Sequence, residues 1–407
     1  MGRVGVRVRG AAALLAAVLA SGAVARAEVP CRTSGSFESW LAGFKAEAAA
    51  AGISRAAIEA GLAGVAYDPA VIRRDQGQGV FQQTFLQFAD RMVSSDRLAR
   101  GPRLLATHAA LFRRIEADYG VPGAVLVAFW GLETDFGTDL GKYRAPTAVA
   151  TLAYDCRRAE MFRKELMGLL KVVERGDLKP SEMIGDWAGE LGHLMFSPHD
   201  YAEHGTDYDG DGRVDVIRSI PDAMASGAAF LKALGWRRGE PWLEEVRVPA
   251  EMDWSRAAPE ARIGRGDWNR MGVRRPDGAA LAAGGGPAWL WLPMGRNGPA
   301  FLAHHNFDVY LGWNKAMVYA TTAAYYATRL SGAPAMGRGR GTVTPLTTEQ
   351  VRHLQTLLVK RGWSSEKPDG RIGQATRAAV RQAQVAVGLP ADAYPTVELI
   401  TALEAGR

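Results

Sequence analysis

VLVAFWGLETDFG, residues 125–137, is the stretch on which the reading of the chain turns. It follows Val121-Pro122-Gly123, a sound helix start because proline is tolerated in a first turn. Residues 124–129 are wholly apolar, which predicts a buried helix, yet the run ends by presenting Glu133. At helical spacing Glu133 shares a face with Leu126, Phe129, Trp130 and Phe136. A carboxylate on an aromatic face is costly to ionise, so its pKa is expected to rise. That suits a general acid working near neutral pH. On spacing alone, a structural Glu paired with an arginine at a helix end fits equally well.

The chain has 407 residues, enough for two or three domains and a sizeable core. Its start reads as a secretory signal over residues 1–27: Arg3, Arg7 and Arg9, an apolar stretch over 11–24, then Ala25-Arg26-Ala27 before Glu28. The apolar stretch is too short to span a bilayer, and no second candidate follows. Basic residues number 49 against 43 acidic; without the four arginines of 1–27 the net charge of +6 falls to +2. That balance argues against a nucleic-acid partner. The two cysteines, Cys31 and Cys156, are expected to form one disulfide in an exported protein. Glu28-Val29-Pro30 before Cys31 is not a lipid-attachment context. The expectation is a soluble, exported, periplasmic protein.

Helical patterns run over residues 37–63, with a cap at Ser54, and over 81–93, 95–119, 161–175, 221–234 and 303–330. Residues 241–294 are irregular, rich in Gly, Pro and Trp, with strand-like pieces such as EEVRV and AWLWLP. The catalytic region therefore reads as mainly α with a small β-containing subdomain, spanning 28–332. Residues 333–345, within SGAPAMGRGRGTVTP, have the content of a flexible linker. Residues 346–407 form a separate small helical domain.

DYDGDGRVD, residues 207–215, places oxygen ligands at the first, third and fifth positions, Asp207, Asp209 and Asp211, followed by Gly212 for a sharp turn. It matches the start of a calcium loop, with Arg213 offering its carbonyl and Asp215 at the ninth position. The twelfth position holds Arg218 instead of a bidentate Glu, so the loop is dead or closes on a later acid, Asp222. Asp135 and Asp139 lie near Glu133, but surface or capping roles suit them better than that of a second catalytic acid. The histidines show no metal-ligand spacing, and no serine has a nucleophile context.

GLETDFG, APTAVATLAYD with Arg157-Arg158, WAGELG, the Asp loop and GRNGPAFLAHHNFDVYLGWNKAMVYA occur in order within residues 37–330. Together they resemble lytic transglycosylases of the B type. VRHLQTLLVKRGW, PDGRIGQATRAAV and RQAQVAVGLP resemble a three-helix peptidoglycan-binding module. The resemblance implies a lysozyme-like core and glycan strands of peptidoglycan as partner. It implies cleavage of the bond after N-acetylmuramic acid without water or cofactor, leaving a 1,6-anhydro end. Glu133 inherits the acid and base role. Arg157 and Arg158 match an arginine pair expected to meet acidic stem peptides. Tyr201, Asn314 and Tyr319 match cleft residues, and the Asp loop matches a structural calcium site closed by Asp222.

Three departures stand out. Met195 occupies the place of a sugar-contacting Gln, and a thioether supplies no amide donor or acceptor. Asp186 replaces a Ser, and Ala316 replaces another. Altered subsite preference or lowered activity is the expected consequence. Two other readings stay open at this point: a muramidase that uses water, and a wall-binding scaffold without turnover.

Overall fold

The computed structural model describes residues 30–77 and 83–406; the signal read over 1–27 and the start of the helix expected over 81–93 lie outside them. Seventeen α-helices and five short strands are present among the described residues, so the protein is mainly α. Three hydrophobic cores are distinct. The largest holds the helical catalytic domain, the second lies behind a small sheet, and the third fills the C-terminal helices.

The helix Gly123–Thr134 is the centre of the largest core. Leu126, Val127 and Phe129 are fully buried, each such side chain contributing roughly 1.5–3 kcal/mol relative to exposure. Gly131 permits a close crossing: a Cβ there would lie 2.9 Å from the Phe136 ring and 3.1 Å from Tyr326 of the helix Met317–Leu330. This helix ends because Asp135 and Phe136 both turn into the left-handed region, at φ 49° and 61°.

Helices are found at Phe37–Ala50 and Arg55–Gly61, the latter capped by Ser54, whose side chain accepts the Ala57 N–H. The pattern expected as one helix over 95–119 is two, Ser95–Thr107 and Ala109–Tyr119, bent apart at His108. That expected over 303–330 is also two, His305–Trp313 and Met317–Leu330. The Cys31–Cys156 disulfide joins the start of the described chain to the end of the region after Glu133.

The irregular stretch contains an antiparallel sheet in which Ala300–Ala303 is central, flanked by Leu243–Val246 and Trp289–Trp291. Side chains alternate across it. Trp289, Trp291 and Phe301 join the catalytic core, whereas Leu290 and Leu302 join the second.

Residues 333–345 form neither helix nor strand, as expected, but they are not slack. Met336 is buried, Arg338 pairs with Asp90 at 2.8 Å, and Arg340 donates to the carbonyls of Val248 and Pro249. The flexible-linker reading is corrected on this point: composition does not reveal that its arginines find partners. Beyond it, helices Thr348–Lys360, Gln374–Ala386 and Val397–Glu404 form the C-terminal domain. Arg377 pins that domain to the sheet. Its guanidinium donates to the carbonyls of Leu292 and Pro293 and lies 4.6 Å over the Trp291 ring. Burial pulls its pKa down to about 10.

Candidate active site

Glu133 lies in the last turn of its helix, partly buried. The break at residues 314–316 brings two donors to it, Trp313 ending one helix and Tyr319 opening the next. The Trp313 indole Nε1 donates to Glu133 Oε1 at 3.2 Å, and the Tyr319 hydroxyl donates to the same oxygen. Trp313 is itself boxed by Phe129, stacked at 4.4 Å, and by Phe230 at 5.3 Å. Burial pushes the Glu133 pKa up to about 7, partly offset by these two hydrogen bonds and reinforced by the charge of Asp186. With both donors on Oε1, the proton belongs on Oε2, which has no hydrogen-bond partner among the described residues.

Asp135 is engaged elsewhere. Arg97 and Arg100 hold its two oxygens at 3.1 and 3.0 Å, and although burial acts in the other direction they keep its pKa below the usual range. Next to the helix end, Trp130 donates to His193 Nδ1 at 3.0 Å and Thr134 donates to the His193 carbonyl at 2.8 Å. Burial lowers the His193 pKa, so the ring is neutral and acts as a brace.

The sequence reading named Asp186 among the binding residues but missed Glu190 and the acidic neighbourhood the two form around Glu133. Asp186 Oδ1 accepts the N–H groups of Ala188 and Glu190 at 2.8 and 2.9 Å, fixing a tight turn. Burial raises the pKa of both acids, and Glu190 is pushed well up, by burial first and then by Asp186 and Glu133. Gly141, at φ +87°, lets the chain press on this turn: a Cβ would fall 2.0 Å from the Gly185 carbonyl oxygen. The signal available in the sequence was the pair of acids four residues apart around WAG.

The other expected residues divide. Arg157 and Arg158 both pair with buried Asp75 and stay about half and one-third exposed, so neither is an uncommitted cation. Met195 is partly exposed, at φ 48° in the turn between Leu191 and Phe196. Asn314 Oδ1 accepts the Ala316 N–H at 2.9 Å, which turns the chain ahead of the next helix. Tyr201 is corrected: it is fully buried, and its hydroxyl donates to the Val214 carbonyl, so it braces the Asp loop and cannot touch a sugar.

In that loop, carboxylate oxygens of Asp207, Asp209 and Asp211 lie within 4.8 Å of one another and are exposed. Converging acids of this kind suit a hard divalent cation. Asp215 and Asp222 stand outside the group. Asp215 pairs with Arg218 at 3.1 Å. Asp222 is buried and accepts the N–H groups of Tyr208, Asp209 and Asp215, closing the loop through the backbone.

One raised, half-sheltered carboxyl with an open oxygen, set in a lysozyme-like helical fold, defines a glycan-cleaving acid site. The comparisons agree. The profile of the transglycosylase SLT domain matches residues 36–328 and that of the peptidoglycan binding domain residues 347–403; the chain belongs to the transglycosylase SLT family. SltB3 from Pseudomonas aeruginosa, solved with NAG-anhNAM-pentapeptide and with NAG-NAM-pentapeptide, is 38% identical with a TM-score of 0.84 in both complexes. The first of these alignments covers 91% of this chain and 99% of that one. Membrane-bound lytic murein transglycosylase B of Escherichia coli (strain K12) is 31% identical over 157 residues, 38% of this chain and 43% of that protein. The Escherichia coli lytic transglycosylase Slt35, solved with calcium, shares the fold at 23% identity and a TM-score of 0.60, over 72% of this chain and 92% of that one. No described helix is long and apolar enough to cross a membrane.

Proposed function

We propose that this chain is an exported lytic transglycosylase that cleaves the MurNAc-β-1,4-GlcNAc bond of peptidoglycan and leaves 1,6-anhydro-MurNAc ends. The observation that carries the reading is Glu133: Oε1 holds two donors, Oε2 is open, and the pKa is about 7. Oε2–H donates its proton to the glycosidic oxygen as the bond to C1 breaks. The ionised carboxylate is then stabilised by the Tyr319 and Trp313 donors. It takes a proton from the C6 hydroxyl of the same muramic acid as that oxygen closes on C1, and Glu133 returns to its starting state. Water is neither consumed nor needed. Asp186, whose charge is felt at Glu133, would place a carboxylate near the positive charge that develops at C1, while Glu190, pushed well up by burial, stays neutral. Met195, Asn314, Arg157 and Arg158 would border the bound strand. Asp207, Asp209 and Asp211 would hold a structural calcium ion that takes no part in the chemistry. The leader over residues 1–27 would deliver the protein to the periplasm.

A water-using muramidase is the second reading, because Asp186, held by backbone N–H groups near Glu133, offers the second carboxylate such a mechanism needs. Digestion of purified sacculi by the mature protein and by Glu133→Gln, with products read by mass spectrometry, separates the two. Anhydro-muramic ends from the parent and none from the variant are expected. Reducing ends would instead establish a hydrolase.

A further inference from the structure

We propose that the cavity between the C-terminal domain and the catalytic domain binds a carboxylate-bearing peptide stem of the same wall polymer, with Lys315 and Arg381 as its cationic contacts. The proposal rests on the function above and adds a second binding site to it.

The cavity has a volume of about 700 Å³, within the range of pockets that hold small ligands. It is lined by Gln374 and Arg381 of the helix Gln374–Ala386, by Lys315 in the turn at 314–316 and Met317 at the start of the next helix, and by Trp289 and Trp291 of the sheet. Its charges are unequally committed. Arg377 is spent on backbone carbonyls. Asp308 is held by Arg262 at 2.6 Å, and Asp392 accepts from the Arg296 N–H at 2.9 Å and from Gln384 at 3.0 Å. Glu260 is largely exposed and no closer than 3.9 Å to Arg381.

Two cations are left over. Arg381 lines the cavity, its Nε has no hydrogen-bond partner, and its nearest acid is the distant Glu260. Lys315 is exposed and makes no ion pair or hydrogen bond among the described residues. A ligand that satisfies both carries anionic groups, and the apolar Trp and Met lining suits carboxylates spaced along an apolar or amide-rich chain. Peptide stems have that composition. Placement agrees with it: Lys315 is two residues beyond Trp313, whose indole touches Glu133. One turn of chain thus has the catalytic acid on one side and the cavity on the other. A strand threaded past Glu133 would carry its stems to this place.

The test uses Glu133→Gln as a non-cleaving background, in the full mature chain. A GlcNAc-MurNAc tetrasaccharide carrying pentapeptide stems, and the same tetrasaccharide stripped of peptide, are titrated by calorimetry. Lys315→Ala and Lys315→Ala/Arg381→Gln are compared with Lys315→Arg. The double variant is expected to weaken binding of the stem-bearing ligand about tenfold or more, the loss of charge-assisted contacts, while the stripped ligand binds as before. Lys315→Ala, at an exposed site that does not threaten folding, should give part of the loss, and Lys315→Arg should restore binding. Equal weakening for both ligands would assign the cavity to the sugar or its lactyl carboxylate and overturn the proposal, as would no change for either. Turnover of stripped glycan by the otherwise unaltered protein reports separately on the transglycosylase reading.

Discussion

Removing the Tyr319 hydroxyl should move the pH at which activity fails, and the structure gives the direction and size. Both Tyr319 and Trp313 bond Glu133 Oε1 and so favour the ionised carboxylate, while burial favours the neutral acid. A hydrogen bond to a charged group contributes roughly 1.5–3 kcal/mol, and 1.36 kcal/mol corresponds to one pKa unit. Tyr319→Phe keeps the ring and deletes the donor, so the Glu133 pKa should climb from about 7 by roughly 1 to 2 units. The reaction begins with Glu133 protonated, so kcat/KM falls as pH rises through that pKa. The alkaline limb of the kcat/KM profile should therefore move upward by the same amount. The height of the plateau should drop, because the carboxylate formed on proton donation has lost a stabilising partner. The assay is release of soluble muropeptides from sacculi between pH 5 and pH 10. An alkaline limb that stays in place, or moves toward acid, would refute the assignment of Glu133 as the proton donor tuned by Tyr319.

Two further outcomes follow from the same geometry. Glu133 has its pKa raised from 4.5 to about 7 on folding, so its contribution to stability is intact below pH 4.5 and is lost as pH rises through 7, a change of about 3 kcal/mol. Glu133→Gln should accordingly match the parent in denaturant unfolding near pH 4.5 and exceed it by up to about 3 kcal/mol at pH 8.5; a constant difference across that range would contradict the burial argument. The Cys31–Cys156 disulfide closes a loop of 125 residues, worth roughly 4–5 kcal/mol by chain entropy. Reduction with dithiothreitol, or Cys156→Ser, should lower the urea midpoint by a corresponding amount, and an unchanged midpoint would assign the bridge no such role.

Much of the site could be read before the fold was known, because local periodicity and motif order carry it. Glu133 was legible from an apolar helix that ends on a carboxylate, and Ser54 from its capping position. What stayed hidden depends on chain direction after a helix stops. The turn at 314–316 carries no Gly or Pro, so the two donors to Glu133 were folded into one expected helix. Asp186 and Glu190 are far from Glu133 in sequence, and only the turn pressed against Gly141 makes them its neighbours. Depth is likewise invisible to pattern: Tyr201 sits among plausible cleft residues in sequence and yet is fully buried. Asp222 occupies a credible ligand position, but three backbone N–H groups claim its oxygens.

The clamp formed by Arg377 bears on where the polymer is cut. A module on a slack tether only raises the local concentration of its enzyme near the surface. A module held to the sheet by Arg377 and to the loop beyond it by the Asp392–Arg296 contact would stand at a constant distance from Glu133. Grip and cut then keep a fixed phase along a repeating strand. Fragment length would then follow the protein's own dimensions, as a gauge block sets the spacing of a saw, and Arg377→Ala should broaden the distribution of product lengths read by mass spectrometry.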